Sequence, residues 1–90
     1  MATMKLEIIT PESIIYTGDV ESVIAPGSEG ELGILPHHAS LMTALQAGDI
    51  KVSVNGQANS YSVGGGFLEV KDNQVTILAD SAVNLSLIHI

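Results

Sequence analysis

The residues able to do chemistry crowd into one stretch, Pro26 to Ala39. Gly27, Gly30 and Gly33 alternate there with Glu29 and Glu31, and Pro36-His37-His38 follows. Glycines at such a spacing suggest a phosphate cradle, which needs backbone N–H groups at a helix N-terminus, often with a lysine. Here the carboxylates repel phosphate, no lysine follows, and Pro36 blocks helix growth. The glycines are assigned instead to turns that need φ > 0, and Gly64-Gly65-Gly66 is assigned in the same way. Neighbouring residues on a strand point to opposite faces, so His37 and His38 are poorly placed for one metal ion. Glu29, Glu31 and His89 would have to converge on them through the fold. Ser28 and Ser40 lie near the histidines without making a triad, and there is no Gly-x-Ser-x-Gly elbow. No catalytic, cofactor-binding or metal-binding residues are assigned, and one of the two histidines is expected to pack or hydrogen-bond while the other is exposed.

The elements that must position this stretch are strands. Lys5 to Ile9 alternates polar and apolar as a half-buried strand does, and Thr10-Pro11-Glu12 interrupts it. Ile14 to Thr17 is β-branched and aromatic, Gly18-Asp19 is expected to turn, and Val20 to Ala25 is the third strand before Pro26-Gly27. Glu31 to Leu35 reads as a short strand ending at Pro36. Ser40 to Gln46 contains helix formers but is short, and is assigned as strand. Ile50, Val52 and Val54 face inward, and Asn55-Gly56 is the strongest hairpin signal, because a type I′ turn needs φ > 0 at both central positions. Gln57 to Val63 returns. Phe67 to Val70 and Gln74 to Ala79 form a second hairpin across Lys71-Asp72-Asn73. Val83, Leu85, Leu87, Ile88 and Ile90 leave room for a last strand in a weakly patterned tail, 81–90. The pattern predicts an all-β protein, a sandwich or barrel with its strand region at about 4–80.

With 90 residues the chain makes one domain, and its three aromatics (Tyr16, Tyr61 and Phe67) leave an aliphatic core. Ten acidic residues against three lysines and no arginine give a net charge of −7. That balance argues against nucleic acid and against an anionic membrane surface, and favours a partner with basic or neutral polar contacts. There is no cysteine, so disulfides and thiolate metal sites are excluded. No secretory signal is visible, and no window approaches the roughly 18 apolar residues of a membrane span. The chain is expected to be soluble.

Gly27-Ser28-Glu29-Gly30-Glu31-Leu32-Gly33-Ile34-Leu35-Pro36, with His38-Ala39, Leu41 and Thr43-Ala44-Leu45, resembles the N-terminal domain of the epsilon subunit of F-type ATP synthase. The resemblance continues through Gly65 to Val70 and Val75 to Asp80, and covers about Lys5 to Ala82. It implies a flattened antiparallel β-sandwich of about ten short strands filling 1–90, an architecture in keeping with the strand pattern. It also implies a non-catalytic central-stalk subunit, one copy per complex, that binds the gamma subunit and the c-ring and couples rotation to ATP synthesis without a cofactor. By motif position, Glu29, Gly30, Glu31 and Leu32 match the loop facing the c-ring. His38 and Thr43 match positions on the gamma side, and Thr10 does so with less motif support. The implied location is peripheral, on the cytoplasmic face of a bacterial cell membrane, held there by the proton-translocating complex. His37 stands where the family has Gly or Asn, and Ser40 where it has Pro. Most bacterial members continue into a two-helix inhibitory domain; this sequence has no helical pattern up to Ile90, so inhibition is not carried over. A lipoyl- or biotinyl-type carrier domain is the alternative, but Lys51 lies inside a strand run and Lys71 lacks the flanking motif. A metal- or ligand-binding sandwich using His37 and His38 comes third.

Overall fold

A computed structural model describes residues 2–84. Among them are ten strands: β1 (Met4–Ile9), β2 (Ile14–Val20), β3 (Ser22–Gly27), β4 (Gly30–Ile34), β5 (Leu41–Leu45), β6 (Gly48–Val54), β7 (Gln57–Val63), β8 (Gly66–Lys71), β9 (Gln74–Ala79) and β10 (Ala82–Asn84). The pairing order is β10-β7-β6-β3-β5-β8-β9-β1-β2, with β4 on the other side of β3. β3 and β5 share the single pair Gly27↔Leu45. At that thin joint the sheet folds over into two leaves, β10-β7-β6-β3-β4 and β5-β8-β9-β1-β2, which is the expected sandwich. β1 and β9 run parallel, while the other pairs are antiparallel.

The alternation seen in the sequence sets the core. Met4, Leu6 and Ile8 of β1 are buried with Leu68 and Val70 of β8 and Val75 and Ile77 of β9; Val23, Ile50 and Val52 face them from the other leaf. Each such side chain, fully withdrawn from water, stabilises the fold by about 1.5–3 kcal/mol. Tyr16 of β2 and Tyr61 of β7 meet across the leaves with ring centroids 5.9 Å apart and planes at 60°, a tilted geometry that suits the ring quadrupoles. Burial, and secondarily Tyr16, pushes the Tyr61 phenol above its usual pKa.

Four local expectations are corrected. Gly18-Asp19 does not turn: both lie inside β2, and the chain bends at Glu21. Gly18 instead makes room for Tyr16, whose hydroxyl oxygen would sit 2.9 Å from a Cβ at position 18. Of the three glycines in the opening stretch only Gly30 has φ > 0, at 131°. Gly27 is needed for closeness, since a Cβ there would stand 2.7 Å from the Gly30 carbonyl oxygen. In the second triplet Gly65 and Gly66 have positive φ and Gly64 does not. The β8–β9 turn uses only Asp72 and Asn73, both at φ > 0, because Lys71 and Gln74 already pair. Asn55 and Gly56 both have φ > 0, as a type I′ turn demands. The tail contributes β10, and Leu85, Leu87, Ile88, His89 and Ile90 lie outside the described residues.

Candidate functional site: one acidic end and one apolar face

Register across the leaves defines two ends. Gly27, Leu45, Gly66 and Ala79 align at one; Lys71, Gln74, Lys5 and Asp19 align toward the other. The Pro26–Leu45 stretch spans both, because β4 runs away from the Gly27 end and β5 runs back.

At the Gly27 end, Ser28 and Glu29 form the tip between β3 and β4, closed by the pair Gly27↔Gly30. Gln46 clamps the base: its backbone N–H donates to the Pro26 carbonyl at 2.9 Å and its Nε2 to the Gly27 carbonyl at 3.0 Å. Glu31 sits opposite Pro26 and is exposed, whereas Leu32 sits opposite buried Ala25 and packs against the core. Glu29, Gly30 and Glu31 therefore present the surface and Leu32 anchors it. Glu12, Asp49 and Asp80 are exposed at this same end. Of the three lysines, Lys5 and Lys71 belong to the far end, and Lys51 lies midway along β6, opposite Ile24 and Ser60. The end is strongly acidic.

Thr10, His38 and Thr43, which the resemblance assigns to a gamma side, are spread out. Thr10 lies at the Gly27 end of β1, where its Oγ1 accepts the Glu12 and Ser13 N–H groups at 3.3 and 3.2 Å. This bonding shapes the Thr10-Pro11-Glu12 interruption as a compact turn. His38 lies beyond β4 at the opposite end and is exposed. Its Nδ1 is 2.7 Å from the Ala39 carbonyl oxygen, and its N–H donates to the Leu35 carbonyl. Leu35 to His38 has Pro second and φ of 65° at His37 third. That is the pattern of a type II turn, which favours Gly or Asn where His37 stands. Thr43 faces inward on β5, opposite buried Leu68, with its Oγ1 3.4 Å from the Ala44 carbonyl oxygen. Separation along β4 keeps Glu29 apart from the histidines, and among the described residues no three His, Asp or Glu side chains are grouped to hold a metal.

One residue in from the Gly27 end lies a surface that motif matching does not mark. On the outer face of the second leaf, Ala44, Phe67, Leu78, Ile9 and Ile14 stand side by side across five strands. Phe67 is 58% exposed, Leu78 53% and Ile14 61%, and Met42 beside the row is 68% exposed. A shallow hollow of about 500 Å³ runs between Ile9, Thr10, Pro11, Phe67, Leu78 and Asp80. A contiguous exposed apolar strip of this kind marks a contact site, whereas scattered apolar residues do not. The signal in the sequence was the doublets Phe67-Leu68 and Ile77-Leu78, which put an apolar residue where alternation calls for a polar one.

A family model described as the β-sandwich domain of the ATP synthase delta/epsilon chain matches residues 3–85. The ATP synthase epsilon chain of Dehalococcoides mccartyi strain BAV1 is 54% identical over 82 residues, covering 91% of this chain and 59% of its own length. That of Desulforamulus reducens is 46% identical over 80 residues, covering 89% of this chain and 61% of its own. The chain thus spans about three-fifths of the length of these relatives. Among solved structures, a chain of the Euglena gracilis mitochondrial ATP synthase OSCP/F1/c-ring assembly superposes with a TM-score of 0.89. It is 28% identical, with 99% of this chain and 57% of that one covered. A chain of the Tetrahymena thermophila mitochondrial ATP synthase central stalk and c-ring has a TM-score of 0.78 at 20% identity, with 93% and 68% covered, a likeness of fold.

Proposed function

The chain belongs to the family of ATP synthase delta/epsilon β-sandwich domains, and from that premise we propose that it is a non-catalytic docking element of the central stalk, holding the gamma subunit on its apolar face and the c-ring at its acidic end. The observation that carries this division is geometric. The apolar row lies on a face of the second leaf, while Glu29 and Glu31 lie at the end of the sandwich, so two partners would be engaged at once without competing.

The face supplies the affinity. Removing Phe67, Leu78, Ile14 and Met42 from water is worth about 25 cal/mol per Å² of apolar surface, and Thr10 lies at the edge of the hollow beside them. The acidic end supplies register: carboxylates opposite basic or polar loops steer and orient more than they tighten. Coupling follows from rigidity, since a closely packed sandwich held at both surfaces passes torque from one partner to the other. The location proposed with it is the cytoplasmic face of a bacterial membrane, through the complex.

Mixing the chain with the gamma subunit of its own enzyme and following co-elution tests the reading. A complex at micromolar concentrations is expected, and its absence counts against the face as a gamma site. Glu31→Lys is expected to leave the thermal midpoint and gamma binding unchanged while weakening c-ring docking roughly tenfold at low salt, an effect that shrinks as ionic strength rises. Docking of this variant equal to that of the parent would remove Glu31 from the contact.

A further inference from the structure

The segment that carries His38 is hydrogen-bonded to the body of the domain through the Asn73 side chain. Among the described residues, the hydrogen bond from residues 36–39 to another element is the His37 N–H donating to Asn73 Oδ1, at 2.8 Å. The remaining bonds of the segment are local, from the His38 N–H to the Leu35 carbonyl and from the His38 ring to Ala39. Leu35 and residues 37–40 are exposed and Pro36 is half-buried, so apolar packing of this stretch is confined to Pro36.

Asn73 is suited to the task in three ways. Its own φ of 60° belongs to the left-handed region, which Asn tolerates and a β-branched residue does not. Its Nδ2 donates to the Thr3 carbonyl at 3.0 Å, and its backbone carbonyl accepts the Lys5 N–H at 3.2 Å. One residue thus ties the β8–β9 turn, the start of β1 and the His38 segment together.

We propose that Asn73 is a positioning residue for gamma docking: it fixes the His38 segment against the Asn73 end so that the segment meets the partner already ordered. This rests on His38 being gamma-facing, and adds to it the device that holds His38 in place. Preorganisation acts by sparing the entropy of ordering a loop on binding. Its loss would appear as weaker association with no change in the apolar face.

The test separates the two arms of the side chain. Asn73→Gly keeps φ > 0 and removes both bonds. Asn73→Asp keeps an acceptor for the His37 N–H and removes the donor to Thr3. With the parent, these two variants and His38→Ala, gamma affinity, amide exchange at His37 and the thermal midpoint are measured at a temperature where all four are folded. Asn73→Gly is expected to bind gamma roughly tenfold more weakly and to lose protection at the His37 amide. Asn73→Asp is expected to regain both to within about threefold. Equal weakness of Gly and Asp variants overturns the proposal, because the Thr3 arm would then carry the effect; so does unchanged affinity of Asn73→Gly. If His38→Ala binds like the parent while the Gly and Asp variants still differ, the staple stands and His38 itself is not the contact. If His38→Ala weakens binding and Asn73→Gly does not, the contact stands and the staple falls.

Discussion

Gly66→Ala is expected to destabilise the domain by about 4 kcal/mol or more, a large fraction of the stability of a chain this size. Gly66 opens β8 at φ of 149°, and a Cβ there would drive into the Leu78 carbonyl oxygen and stand 2.9 Å from the Ala79 Cα. Those atoms are backbone of the neighbouring strand, held by the β8–β9 ladder and by the parallel pairing of β9 with β1. They cannot swing aside as a side-chain tip would. The backbone conformation itself adds of the order of 1–3 kcal/mol for any residue with a Cβ. Gly33→Ala is the matched control: its φ is ordinary and nothing lies within 4 Å of the new methyl. There the substitution is expected to be neutral or stabilising by up to about 1 kcal/mol, through the unfolded chain. Urea melts of the pair decide the matter, and similar midpoints for the two variants would show that the close approach at Gly66 relaxes.

That contrast also shows where the sequence was legible. Alternation placed Leu6, Ile8, Ile50 and Val52 inside, and Asn55-Gly56 fixed one hairpin, because these signals act over a few residues and need no knowledge of partners. Glycine was harder, because one residue type answers several demands. Gly30 meets a torsional need, Gly27 and Gly18 meet a spatial one, and Gly33 meets neither within the described structure. Nothing local separates these cases. The turn assigned to Gly18-Asp19 failed for this reason: Tyr16, two residues earlier on the same face, occupies the space a side chain at 18 would need. Asn73 was hidden differently, since its partners His37 and Thr3 are 36 and 70 residues away in the chain. Motif position marked Glu29 to Leu32, His38 and Thr43 but could not show that Leu32 and Thr43 face inward.

Phe67→Gln combined with Leu78→Gln is expected to cost the gamma complex about 2–4 kcal/mol, a roughly 30- to 1,000-fold loss of affinity. The two residues are adjacent across β8 and β9 and sit at the middle of the apolar row. Aromatic and aliphatic groups placed centrally and cleared of water carry most of the energy of an interface. Both are more than half exposed in the free domain, so the substitution removes little packing, and the thermal midpoint is expected to move by less than the equivalent of about 0.5 kcal/mol. Glutamine adds no charge to a domain whose Gly27 end is already acidic, so c-ring docking is expected to be unaffected. The Glu31→Lys variant should show the opposite pattern, with gamma binding intact and docking on the ring weakened. Calorimetry of each variant with gamma, alongside sedimentation with c-ring, separates the two surfaces. If the glutamine pair bound gamma as tightly as the parent, the apolar row would have no role in holding that subunit. If both variants lost both partners, the face and the end would be one surface, and simultaneous engagement of two partners would not describe this domain.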